Sequence, residues 1–169
     1  MNSSDNVCAD ATYNKLYQDL AKSVWRFIYF KCGDSDQADD LVQDAFIKLW
    51  QNCAKINPSK AKSYLFTVTN NAFLNEVAHK KVVQKHQSRY TFASNNESPE
   101  FLLEESEFND KLQRAIANLT EAQRTAFLLN RIEGKKYKEI AEILNISLKA
   151  VEKRIGKALA QLRKEIENI

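Results

Sequence analysis

Apolar residues recur along the first eighty positions with the 3.6-residue period of helices buried on one side. Tyr13, Leu16, Tyr17, Leu20, Val24, Phe27 and Ile28 predict a first long helix. Lys31-Cys32-Gly33 ends it, with Gly33 suited to a left-handed cap. Asp34 followed by Gln37 matches a capping box and opens a second helix. Its apolar face is Ala38, Leu41, Val42, Ala45, Phe46, Leu49 and Trp50. Asn57-Pro58 is the next start signal, because proline is tolerated in the first helical turn. That helix is expected to run to about Lys81, with Leu65, Val68, Ala72, Phe73 and Val77 inward. Helices with seams this wide can bury one another, so residues 10–82 read as one helical domain.

The pattern lapses from Val83 to Ser106. QKHQSRYTFASNNESPE is polar and contains Pro99, so 83–106 reads as a flexible linker. Glu97, Glu100, Glu104, Glu105, Glu107 and Asp110 follow with no base among them. Acids there suit a solvated tether running into a helix start, where they meet the positive end of the macrodipole. Periodicity returns over 107–169. Phe108, Leu112, Ile116 and Leu119 share one face, and Thr120 with Gln123 is a second capping-box match opening a helix that is expected to end at Gly134. Tyr137, Ile140, Ala141 and Leu144 line the next helix. Asn145 suits a left-handed turn, Ser147 suits a cap, and Val151, Ile155, Ala158, Leu159 and Leu162 form a final buried stripe. The expected fold is all-α, two small helical domains joined by a linker.

Composition agrees. Hydrophobic residues make up 44%, enough for a packed core, while 3 Gly and 2 Pro leave few of the turns a sandwich or barrel would need. No apolar run approaches a membrane span, and MNSSDNVCAD lacks a basic-then-apolar signal, so a cytoplasmic location is expected. The cysteines are Cys8, Cys32 and Cys53: an odd number, without CxxC spacing, far from His79 and His86. They read as small buried hydrophobes in a reducing compartment rather than as a disulfide or metal framework. No metal or cofactor is expected.

Net charge is only +3, but its distribution is uneven. If Val151, Ile155 and Leu159 face inward, Lys149, Glu152, Lys153, Gly156 and Lys157 face out, with Arg154 near the boundary. A solvated basic face on a helical bundle would give the same charges. The turn YKEIAEILNIS, with a cap on each side, favours a helix-turn-helix whose second helix presents lysines to phosphates or guanine edges. Lys135, Lys136 and Lys138 could hold the flanking backbone. No nucleophile–base pairing, phosphate-cradling glycine loop or metal-ligand spacing points to an enzyme.

Two separated stretches resemble one family. DDLVQDAFIKLWQN, Asp39 to Asn52, is similar to the core-binding helix of sigma factors, the promoter-specificity subunits of bacterial RNA polymerase. The helix-turn-helix resembles their C-terminal domain. Lacking a middle domain, the chain is similar to the extracytoplasmic-function (ECF) group of the sigma-70 superfamily. The resemblance implies two domains, region 2-like and region 4-like. It also implies docking on the clamp helices of core RNA polymerase through Asp40, Gln43, Asp44, Phe46, Lys48 and Trp50. An acidic helix start stabilised by its macrodipole explains Asp36 and Asp39, but not Asp44.

KSYLFTVTNNAFLNEVAHKK aligns with the part that captures a flipped base of the downstream promoter element. Asn71, Asn75, Lys80 and Lys81 fall on positions facing this DNA, while Tyr64 reads as a core aromatic. Lys149, Lys153, Arg154 and Lys157 fall on positions that read the upstream element. Glu152 departs from the basic residue many members carry. The resemblance further implies a contact of the second domain with the polymerase flap near Phe127 and Arg131, and an anti-sigma partner. The alternative is a helix-turn-helix regulator that binds its operator without core polymerase.

Overall fold

The computed structural model of the chain describes residues 6–86 and 103–166, with side chains for 6–80 and 111–166. The elements in chain order are α1 (Asp10–Cys32), α2 (Ser35–Gln51), a 3-10 turn (Cys53–Lys55), α3 (Pro58–His86), α4 (Leu103–Asn118), α5 (Glu121–Arg131), α6 (Tyr137–Leu144) and α7 (Leu148–Ile166). All regular structure among the described residues is helical. Helix α3 continues to His86 and α4 already begins at Leu103, so helix intrudes on both ends of the expected linker.

Local chemistry sets most boundaries. Gly33 ends α1 at φ 71° and returns its N–H to the Tyr29 carbonyl. Asp34 accepts from the Gln37 N–H at 3.0 Å to start α2, but the Gln37 amide turns to Glu76 instead of closing the box. Thr120 and Gln123 form the full reciprocal box. The α5 helix stops at Arg131, and Gly134 completes the exit three residues later at φ 61°. Asn145 takes φ 51°, and Ser147 accepts from the Ala150 N–H at 3.2 Å.

Helices α1, α2 and α3 pack on one another around Val24, Phe27, Ile28, Leu49, Leu65 and Phe66, all fully buried. Helices α5, α6 and α7 do the same around Leu128, Leu129, Ile140, Val151 and Ile155, with α4 laid along α7. The halves then pack against each other through α1 on α5 and α4, and α3 on α6.

That junction is polar. Lys31, at the end of α1, has no side-chain exposure. Its ammonium pairs with Glu121 at 2.5 Å, donates to Thr125 Oγ1 at 2.8 Å and to Asn70, and lies 4.8 Å from the Phe73 ring centroid. Burial pushes its pKa below the usual lysine value even with Glu121 opposing that shift. Nearby, the Glu133 side chain is 1% exposed. Ser23 donates to one of its oxygens, and Arg26 stands 3.6 Å from the other, which accepts no hydrogen bond among the described residues. Thr67 donates to the Ile143 carbonyl at 3.1 Å, and Lys60 pairs with Glu142 at 3.3 Å.

The cysteine expectation is overturned. Cys8 and Cys53 form a disulfide across 45 positions of sequence, and Cys32 alone is free. Spacing could not reveal the pair, because it exists only once the segment before α1 lies beside the turn after α2.

Burial pushes the Glu133 carboxyl above the ordinary glutamate value, so the native state holds that proton more tightly than the unfolded chain. Its contribution to stability is full below the unfolded value and is lost as pH rises through the raised one. Urea titrations across mildly acidic pH should show this decline. Glu133→Gln should flatten it, and an unchanged slope would place the proton elsewhere.

Candidate nucleic-acid and partner-docking interface

Four surfaces stand clear of the core. The first is the outer face of α2. A helix advances about 100° per residue, so Asp40, Gln43, Asp44, Ile47, Lys48 and Trp50 share one broad stripe. Asp40, Gln43, Asp44 and Lys48 are exposed, as are Ile47 at 52% and Trp50 at 43%. Neither Asp40 nor Asp44 forms an ion pair among the described residues. Phe46 is different: it is 2% exposed. The rings of Tyr13 and Tyr17 on α1 meet it edge-on at 6.3 and 4.8 Å, and Tyr13 Oη donates to its carbonyl at 2.9 Å. Phe46 therefore supports the stripe from behind. Ile47 takes the outward apolar place, which sequence reasoning missed. Its signal was an apolar residue out of phase with the buried face, three positions after Asp44.

The second surface is on α3. Asn71, Asn75 and Lys80 are exposed, with the two amides one turn apart. Asn70 points the other way, buried against Lys31. Lys81 has its side chain outside the described residues. Tyr64 is half-buried, and its hydroxyl donates to the Lys48 carbonyl at 3.5 Å, so it braces α2.

The third is the first half of α7. Val151, Ile155 and Ala158 are buried, which turns Lys149, Lys153 and Lys157 outward. Successive lysines four apart lie about 6 Å from each other along one row. Arg154 is half-buried beside them, and Glu152 is exposed on the same side. None of these five forms an ion pair among the described residues. A methyl added at Gly156 would meet nothing within 4 Å, so packing inside the chain does not require that glycine. Lys135 must be withdrawn from the phosphate contacts expected of it. It is 3% exposed, lies 5.3 Å from the Phe66 ring centroid and pairs with Glu139 at 3.8 Å. Lys136 and Lys138 remain exposed.

The fourth is an apolar groove of about 420 Å³ between α4, α5 and the second half of α7. Leu112, Phe127, Leu159, Leu162 and Ile166 line it, with Arg131 and Arg163 in its wall. One helix thus presents a cationic row at its start and an apolar wall at its end.

Comparison with known proteins bears on both halves. The family profile of sigma-70 region 2 matches residues 16–82, and that of sigma-70 region 4 matches residues 109–162. The chain is 30% identical over 139 residues to the ECF RNA polymerase sigma factor SigM of Bacillus subtilis, spanning 80% of this chain and 83% of that protein. It is 28% identical over 155 residues to the ECF RNA polymerase sigma factor SigE of Mycolicibacterium smegmatis, spanning 90% of this chain and 60% of that longer relative. Among solved structures, the sigma factor RpoE, in complex with the anti-sigma factor NepR from Bartonella quintana, superposes with a TM-score of 0.77 at 21% identity, covering 92% of this chain and 96% of that one. CnrH, in complex with the cytosolic domain of CnrY, gives 0.69 at 20%, covering 98% and 99%. These two likenesses establish the fold.

The lysine row predicts a salt response. Each cation that neutralises a phosphate adds to the counterions released on binding DNA. Lys153→Ala and Lys157→Ala should each weaken duplex binding and reduce the slope of log K against log salt by about 1. Fluorescence anisotropy over a salt series reads both effects, and unchanged slopes would remove these residues from the interface.

Proposed function

The chain belongs to the ECF sigma factors of the sigma-70 superfamily, and from that membership we propose how its surfaces divide the work of transcription initiation. The protein directs core RNA polymerase to specific promoters and assists their opening. It acts in the cytoplasm, without catalysis of its own; the reaction belongs to the polymerase. Residues 10–82 serve as the region 2 domain, 83–106 as the linker and 107–169 as the region 4 domain.

The observation that carries this division is a pair of unlike open faces on one chain: Asp40 and Asp44 beside exposed Ile47 and Trp50 on α2, and Lys149, Lys153 and Lys157 on α7, none of these charged groups in an ion pair among the described residues. The first suits a protein partner. Carboxylates steer and orient a basic helix, and the desolvated aromatic and aliphatic side chains supply the contact energy. The clamp helices of core polymerase are that partner, with Asp40, Gln43, Asp44, Lys48 and Trp50 in contact and Phe46 behind them. The second suits the major groove, where Lys149, Lys153, Arg154 and Lys157 meet the upstream promoter element. The apolar groove beside Phe127 and Arg131 suits an apolar element of the polymerase flap.

Asn71 and Asn75 read the downstream element. Each amide can donate and accept at once, which fits a base edge exposed by strand separation. Extracting a base costs a few kcal/mol, and contacts of this kind offset part of that cost. Lys80 and Lys81 hold the backbone alongside. An anti-sigma factor would act by covering these faces. A regulator working without polymerase would have no use for the acidic-apolar stripe on α2.

Run-off transcription with purified core polymerase on genomic fragments tests the proposal: selective transcripts should appear only when the chain is added. Asp44→Lys should abolish co-elution with core polymerase while leaving duplex binding by the chain alone intact. If this variant still supports transcription at the normal level, the docking assignment fails.

Asn71→Ala should impair strand opening by more than tenfold while changing closed-complex affinity less than threefold. These thresholds are order-of-magnitude expectations for losing one base-edge contact, worth about 1–3 kcal/mol. Permanganate reactivity of the melted thymines reads the first and gel mobility the second. Equal losses in both would contradict base capture.

A further inference from the structure

The disulfide lies at the edge of the proposed docking stripe. Val7 is fully buried and pins the segment that carries Cys8. Cys53 opens the 3-10 turn immediately beyond the C-cap of α2. Between the two ends runs a short chain of contacts. Tyr13, one turn into α1, meets the Trp50 ring at 5.0 Å and donates to the Phe46 carbonyl. Tyr17 backs Phe46 from the next turn. The bond therefore clamps the first turns of α1 to the last turn of α2, where Ile47 and Trp50 emerge.

Both partners are half-buried rather than sealed in the core, so small thiols and disulfides can reach them. The remaining thiol does not compete. Cys32 lies at the far end of α1, on the order of 35 Å away along a helix of this length. Burial also pushes its pKa up, which keeps it protonated and unreactive. The pair is thus set apart as the one exchangeable couple among the described residues.

We propose that Cys8 and Cys53 form a reversible thiol–disulfide site that tunes docking of α2 on its partner. This regulation rests on the polymerase-docking reading of α2; the redox chemistry itself does not. The oxidant is a low-molecular-weight disulfide. One cysteine thiolate attacks a sulfur of that disulfide, forming a mixed disulfide and releasing one small thiolate. The second cysteine thiolate attacks the protein sulfur of the mixed disulfide and releases the other. Two protein thiols lose two protons and two electrons, and one small disulfide becomes two small thiols. Excess small thiol runs the same steps backwards.

Closure holds Tyr13 against Trp50 and fixes the end of the stripe before the partner arrives. Ordering that would otherwise be lost on binding is then already in place. The oxidised form is the tighter binder, and a reducing compartment holds the protein in its weaker state.

The test uses the full chain equilibrated in mixtures of reduced and oxidised glutathione, then unfolded in denaturant, alkylated at once and weighed. In oxidising mixtures only Cys32 should take the label, and in reducing mixtures all 3 cysteines should. Reduction should lower Tm by about 5–10 °C, the scale expected when a loop of this length is released in a chain of this size. Affinity for core polymerase should fall about three- to tenfold on reduction, as loss of preorganisation implies. The double variant Cys8→Ser with Cys53→Ala should match the reduced protein and ignore glutathione. Full labelling at every glutathione ratio would overturn the site. Equal polymerase affinity of the two redox forms would overturn the tuning. If neither form binds polymerase, the docking reading falls, and its tuning with it, while the labelling pattern alone decides whether the thiol site stands.

Discussion

Everything about the arrangement of the two halves turns on one buried cation. Lys31 has been taken out of water at the point where α1, α3 and α5 converge, and an ammonium cannot stay there without partners. Asn70 comes from α3, Glu121 and Thr125 come from α5, and the Phe27 and Phe73 rings flank it. The Lys31 carbonyl also accepts from Arg124 at 3.4 Å. A residue at the end of the first helix is thus satisfied largely by the second half of the chain. Buried ion pairs gain little net stability over an apolar contact, because each charge has lost its hydration. The junction is therefore specific in geometry yet separable. On opening, Lys31 and Glu133 regain water, whereas the apolar cores of the two halves have no such compensation.

That balance suits a protein whose proposed DNA-facing surfaces lie on different halves. Asn71 and Asn75 project from α3, and the lysine row projects from α7. Each is rigid within its own half, because the helices that carry it are packed on one side into a core. The spacing between them is set by the polar junction. Precision resides inside the halves, and adaptability resides between them.

Much of this was legible in the residues. Caps and turns were read correctly at Gly33, Asn145, Ser147 and the Thr120–Gln123 box, because their chemistry is local: one side chain or one φ angle decides each. The inward stripe of α7 followed from its period, and with it the outward lysines. Failures fell where a distant element intervened. Phe46 was expected in the docking set until Tyr13 and Tyr17 covered it. Lys135 was expected to meet phosphate, yet it lies beneath Phe66 of the other half. Cys8 and Cys53 were expected to be separate. In each case the deciding neighbour is tens of residues away, and no spacing rule reaches it.

The sequence by itself determined the helices, their ends, the faces that must be buried and the placement of cationic and acidic residues on the remaining faces. Those features depend on the 3.6-residue repeat and on contacts within one turn. Only the tertiary structure decided which polar groups are consumed inside the molecule and which are left for partners: Asn70 against Asn71, Lys135 against Lys136. The reason is physical. Periodicity says that a side chain leaves its own helix on a given side, but whether water or another helix waits there depends on how the whole chain packs.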